Sequence, residues 1–201
     1  MRLSIRRPTG APAAHPRLAG RAGLAVLLLS ALLPLAAGAR EAARFQAGAG
    51  VADASAAARI WAPDAFLVYL ENDEDVDAGG TAGRWGYLYY SPTLKKARAY
   101  SVKDGRITVA EDLAMVFEAP PLSTQWIDSG VALAAAEEGA GRAFCHQQGG
   151  RLETMLLTRG AFHDGDPDQT TWTVIYSAPH SPSLFVVVDA AQGKVRRTWR
   201  G

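Results

Sequence analysis

The sequence predicts an α+β fold of two tandem units, each a helix followed by three or four antiparallel strands (αβββ). Three observations predict it. The first is an internal repeat. Arg84-Trp85-Gly86-Tyr87-Leu88-Tyr89-Tyr90-Ser91-Pro92 returns as Thr171-Trp172-Thr173-Val174-Ile175-Tyr176-Ser177-Ala178-Pro179, its Trp, second Tyr and Pro each 87 positions apart. The second is period-2 alternation, which puts Trp85, Tyr87 and Tyr89 on one strand face and Trp172, Val174 and Tyr176 on the matching face of the other. The third is punctuation: an alanine-dense helical stretch precedes each strand set and a glycine turn closes it. Asp104-Gly105-Arg106-Ile107 answers Gln192-Gly193-Lys194-Val195 at a spacing of 88. One such unit of about 60 residues buries too little surface to stand alone, so two are expected to share helix faces or a sheet edge.

The elements follow in order. Residues 40–52 are Ala/Gly-rich without periodicity and read as a flexible leader. The stretch 51–61, VADASAAARIW, reads as a short helix capped by Asp53 or Ser55 and ended by Pro63. Strands are expected at Phe66 to Leu70, Trp85 to Tyr90, Arg98 to Lys103 and Ile107 to Val109, with a hairpin at Asp104-Gly105. A helical turn is expected from Glu111 to Phe117. The second unit opens with Asp128 or Ser129 as the N-cap of a helix through Glu138, extendable to His146 and stopped by Gly149-Gly150. Strands then follow at Glu153 to Leu157, Thr171 to Tyr176, Leu184 to Asp189 and Lys194 to Trp199. The units are drawn at 53–119 and 126–201.

The first 39 residues read as a cleaved signal peptide. Five arginines and no acid precede an apolar run from Ala22 to Leu35, and Ala37-Gly38-Ala39 supplies small residues for cleavage. That run of 14 residues is too short to cross a bilayer, and no membrane span is expected after cleavage. The whole chain carries 21 basic and 20 acidic residues; removing the five arginines leaves 16 against 20, a net charge of −4. A mildly acidic chain has no electrostatic reason to bind nucleic acid. The one cysteine, Cys145, forms no internal disulfide and reads as a small core residue.

The second unit resembles a PepSY domain. The likeness lies in the helix opening at Asp128-Ser129, the strand Trp172 to Tyr176, and the closing hairpin Leu184 to Val195 with its Asp189 and Gly193-Lys194 turn. It covers about Trp126 to Trp199, and the first unit matches less well. The resemblance implies a secreted or periplasmic, non-catalytic module. Family members occur in propeptides of thermolysin-type metalloproteases, which they are held to inhibit, on membrane proteins, and alone. No catalytic residues come with the family.

Two acidic loops are the candidate metal sites. Asp73, Asp75 and Asp77 precede Trp85, and Asp164, Asp166 and Asp168 precede Trp172. Alternating carboxylates can gather around Ca²⁺. Against an EF-hand loop both fail: position six is Ala78 or Gln169, and position twelve is Arg84 or Ile175. Turn chemistry at solvated hairpin tips, where Asp and Gly are enriched, is the favoured reading of such residues. His163 and His180 lack a second ligand nearby, the adjacent Cys145-His146 point apart on a helix, and no G-x-S-x-G elbow occurs. The expectation is therefore no enzyme and no cofactor. The chain reads as an exported binding module for an envelope protein or peptide, with protease restraint as one form of that binding. The alternative is a structural or Ca²⁺-stabilised envelope protein.

Overall fold

Two four-stranded meanders join through their first strands. β1 (Phe66–Asn72), β2 (Arg84–Ser91), β3 (Lys96–Lys103) and β4 (Arg106–Asp112) form one meander. β5 (Arg151–Arg159), β6 (Thr170–Ala178), β7 (Ser181–Asp189) and β8 (Val195–Arg200) form the other. The sheet order is β4-β3-β2-β1-β5-β6-β7-β8, antiparallel throughout, with Leu70 opposite Leu157 at the β1–β5 seam. This α+β arrangement comes from a computed structural model that describes residues 43–113, 119–160 and 168–201. The signal segment therefore lies outside the described residues.

Helices cover one face. α1 (Val51–Trp61) is alanine-rich, which favours helix and lets Ala54 and Ala58 bring its backbone close to the sheet. Pro63 follows its end. The second helix is α2 (Ser129–Ala136), a π-helical turn (Glu137–Gly141) and α3 (Arg142–Gln148), closed by Gly149 at φ 63°. The π turn packs closely on the sheet. The Tyr176 ring lies under Gly141, where a Cβ would sit 2.3 Å from its hydroxyl, and Val195 lies under Gly139.

Between helices and sheet, Trp85 and Trp172 are fully buried and meet edge to face with ring centroids 6.3 Å apart. They occupy the second strand of their respective meanders. Each indole N–H donates to a main-chain carbonyl 2.8 Å away, Trp85 to Phe45 and Trp172 to Ile127. Burying an aromatic of this size removes about 150–250 Å² from water, worth roughly 4–6 kcal/mol. On the other sheet face, Tyr90 is buried with Val68 and Ala97, with Ala119 packed against them.

Three expectations need correction. The leader is not loose from Phe45 onward: Phe45 bridges Ala82, Ala47–Gly50 is a 3₁₀ turn, and Ala47 is fully buried. Its backbone accepts from Trp85 and, at Ala47, from the Tyr87 hydroxyl at 2.7 Å. Asp53 and Ser55 do not cap α1. The helix continues from the 3₁₀ turn with Gly50 as N-cap, and Ser55 instead bonds the Tyr89 hydroxyl at 2.6 Å. Glu111 and Asp112 finish β4 rather than start a helix; residues 114–118 lie outside the described residues.

Candidate binding surfaces

The first acidic loop is tied down by its own chain. Asp77 accepts from the amides of Gly79 at 2.9 Å and Thr81 at 3.0 Å, and from the Thr81 hydroxyl at 2.5 Å. Arg44 donates to the same carboxylate at 3.1 Å and to the carbonyls of Thr81 and Asp75. Burial opposes ionisation of Asp77, but these hydrogen bonds together hold its carboxyl below the usual range. Asp73 turns elsewhere, accepting from Ser101 at 2.5 Å beside Arg84 at 3.5 Å, and Asp75 is exposed. Asp73 and Asp77 thus serve different partners. In the second loop Asp168 pairs with Arg159 at 2.8 Å, while Asp164, Asp166 and His163 lie outside the described residues. Among the described residues no three His, Cys, Asp or Glu side chains gather as a metal would need. His146 and His180 are exposed, and burial and Glu137 push the half-buried Cys145 thiol up, away from thiolate chemistry.

The more distinctive surfaces are the two ends of the sheet. β4 pairs only with β3 and β8 only with β7 among the described residues. In an antiparallel ladder, main-chain groups alternate between the partner strand and the open side. The Leu113 amide donates to Ala97 at 2.9 Å, so the amides of Ala110 and Asp112 point away from β3. Likewise the Gly201 amide donates to Ser183 at 3.0 Å, so those of Thr198 and Arg200 point away from β7. Both edges therefore offer main-chain donors and acceptors to an added strand. No pattern of side chains in the sequence marks which strands end the sheet.

The edges differ in charge. β8 and its turn carry Lys194, Arg196, Arg197 and Arg200. Arg197 lies 5.2 Å over the Trp199 ring, Trp199 stacks on Phe185 at 4.9 Å, and Arg200 lies 4.3 Å over Phe144. The turn leading into β8 is built on Asp189, a buried carboxylate the sequence marked only as part of a hairpin. It accepts from Ala191 N at 2.8 Å, Gln192 N at 3.0 Å, Gln169 Nε2 at 2.6 Å, and Arg196 Nε and Nη2. β4 is different, with Arg106 at its start, Glu111 and Asp112 at its end, and Ile107-Thr108-Val109-Ala110 between.

Compared with known proteins, the chain matches no family model and no curated protein. Its fold is similar to that of a putative lipoprotein from Clostridium difficile 630. The TM-score is 0.50 and the sequence identity 14%, over 76% of this chain and 93% of that one. The likeness concerns the fold. No helix among the described residues is long and apolar enough to cross a membrane.

Asp189 also sets an expected pH dependence. Burial, the largest single influence, raises its pKa, but Arg196 and the two turn amides outweigh it and leave the carboxyl below its ordinary value of 3.8. A carboxyl depressed in the native state contributes stability that is present above its unfolded pKa, about 3.9, and lost as pH falls through the native value. Unfolding midpoints should stay flat from about pH 7 to about pH 5 and fall below about pH 4. Asp64, held at about 2 by Ser91 and Thr93, and Asp77 share that acid limb. Asp189→Asn should therefore make the fall shallower without abolishing it. An unchanged acid slope in this variant would contradict the role assigned to Asp189.

Proposed function

We propose that the protein is an exported, non-catalytic PepSY-like module of the cell envelope that captures an extended segment of another envelope protein by strand addition. Restraint of a protease is one form such capture takes. The supporting observation is the β8 edge, with outward amides at Thr198 and Arg200 beside a row of basic and aromatic side chains. Main-chain hydrogen bonding supplies affinity in this mode, and alternate side chains supply selectivity. The basic edge favours an acidic or carboxylate-rich segment. Export is supported by the basic and apolar first 39 residues and accords with the lipoprotein description of the Clostridium protein. We further propose that the two halves arose by duplication, on the repeat and on the like strand positions of Trp85 and Trp172.

Thr198→Pro tests the edge. Proline removes an outward N–H while leaving the bonds to β7, so the fold should survive. Wild-type protein and the variant would be used as bait against an envelope extract, with bound proteins identified by mass spectrometry. The expected result is a defined partner enriched by wild type and reduced at least about tenfold by Thr198→Pro. Equal recovery by both would remove the β8 edge from the account, and no specific enrichment by either would remove the binding function.

A further inference from the structure

We infer that the β8 edge selects an antiparallel segment of the pattern acidic, apolar, any residue, acidic, a selectivity that rests on the strand capture proposed above. β8 offers a short regular ladder. Its pairing with β7 is bulged at Arg196, because Val188 faces Val195 while Val187 faces Arg197, and Arg196 is turned in to Asp189. Regular strand therefore runs from Arg197 to Arg200. Within it the amides of Thr198 and Arg200 point away from β7, since that of Gly201 donates to Ser183. An incoming antiparallel strand exchanges both main-chain bonds with each of those two residues. It lies opposite Trp199 and Arg197 in non-hydrogen-bonded pairs, where side chains come closest.

The pleat assigns each position a face. Thr198 and Arg200 pair with Val186 and Leu184, both in the core beneath the helices, and Arg200 lies 4.3 Å over the Phe144 ring of α3. Arg197 and Trp199 lie on the opposite face, where Trp199 stacks on Phe185 at 4.9 Å and Arg197 lies 5.2 Å over the Trp199 ring. Residues directly opposite in an antiparallel pair share a face. Read from its N-terminus, the incoming segment therefore meets Arg200, Trp199, Thr198 and Arg197 in turn. Carboxylates suit the first and fourth places and an apolar or aromatic side chain the second, while the third faces a threonine. The spacing of three residues between the two cations separates this segment from an acidic chain of other order. Parallel entry would reverse the sequence. The other end of the sheet does not compete: β4 is bulged opposite Ser101 and Val102 and finishes on Glu111 and Asp112, an interrupted ladder of like charge to the ligand.

The probe is a blocked, fluorescein-labelled octapeptide with aspartate, phenylalanine, threonine and aspartate at its centre and threonine or valine elsewhere. Purified protein is titrated into it to about 1 mM and followed by fluorescence anisotropy, with an expected Kd of about 100 μM or tighter. A peptide with the centre permuted to phenylalanine, aspartate, aspartate, threonine keeps composition and charge and should bind about tenfold more weakly. Thr198→Pro should weaken the parent peptide by a similar factor. Arg200→Glu should do so too, and lysine in the first central place should restore binding to that variant, whereas lysine in the fourth should not. Far-UV circular dichroism and thermal melting establish that each variant remains folded, and the permuted peptide tests the pattern on the unaltered protein. Equal binding of the parent and permuted peptides, or rescue by lysine in the fourth place, would overturn the pattern, while a loss on Thr198→Pro would still uphold strand capture at β8. Absence of parent-peptide binding at about 1 mM would also overturn the pattern, and the envelope-extract comparison then decides strand capture separately.

Discussion

Replacing Trp172 with alanine is expected to lower the unfolding free energy by about 3–5 kcal/mol, a large part of the 5–15 kcal/mol typical of a domain. The indole is fully buried between Trp85 and Trp126, at centroid distances of 6.3 and 6.0 Å. Its removal leaves a cavity at the meeting of the two meanders and strips the Ile127 carbonyl of its 2.8 Å donor. That carbonyl precedes α2, so the loss reaches the helix start. Trp85→Ala should cost a similar amount, because its indole N–H serves the Phe45 carbonyl in the same way. Since the two rings touch, the double variant should depart from the sum of the single ones by about 0.5–1.5 kcal/mol. Urea denaturation followed by circular dichroism measures all three. A loss below about 1 kcal/mol for either single variant would show that the tryptophans do not hold the core together.

The second large effect is expected at Ser129. Its fully buried hydroxyl accepts from the Ala47 amide at 3.1 Å and donates to the Gly80 carbonyl at 2.7 Å. Ser129→Ala leaves both main-chain groups buried without that partner, a cost of about 2–3 kcal/mol. Asp128 is the N-cap of α2 and accepts from the Ser129 amide at 2.7 Å, but it also accepts from the Gly48 amide at 2.9 Å. Asp128→Ala should cost about 1–2 kcal/mol, more than a solvent-exposed cap. Capping alone would make only one of the two substitutions matter. The structure makes both matter, because the pair ties the start of α2 to the 3₁₀ turn 80 residues earlier. Chemical denaturation of the two variants decides it: an unchanged midpoint for Ser129→Ala would mean that the bridge to Ala47 and Gly80 does not form.

Much of this architecture is local and therefore legible in the residues. The strands around Trp85 and Trp172 follow from alternation, because a pleated backbone sends successive side chains to opposite faces. The Asp104-Gly105 hairpin follows from the positive φ angles both residues adopt. The second helix follows from its cap, its alanines and the stop at Gly149, and the alternation also indicated which aromatic faces are buried. Glycines at 139 and 141 disfavour helix by intrinsic propensity. Their packing value appears only once Val195 and Tyr176 lie beneath them.

What the chain alone determined is thus the α+β class, the order of its eight strands and two main helical segments, and the inward faces of the strands around Trp85 and Trp172, since each depends on residues within a few positions of one another. Tertiary structure decided the rest. The β1–β5 seam joins Leu70 to Leu157, and Phe45 to Gly50 became part of the fold because their main-chain groups meet Trp85, Tyr87, Asp128 and Ser129. Asp73 and Asp77 were separated by different partners, Ser101 for one and Arg44 for the other. Among the described residues, the seam leaves β4 and β8 at the two ends of the sheet. A backbone hydrogen bond has the same chemistry at every non-proline residue, so the choice of which strand edges are paired and which stay open leaves little trace in side-chain order.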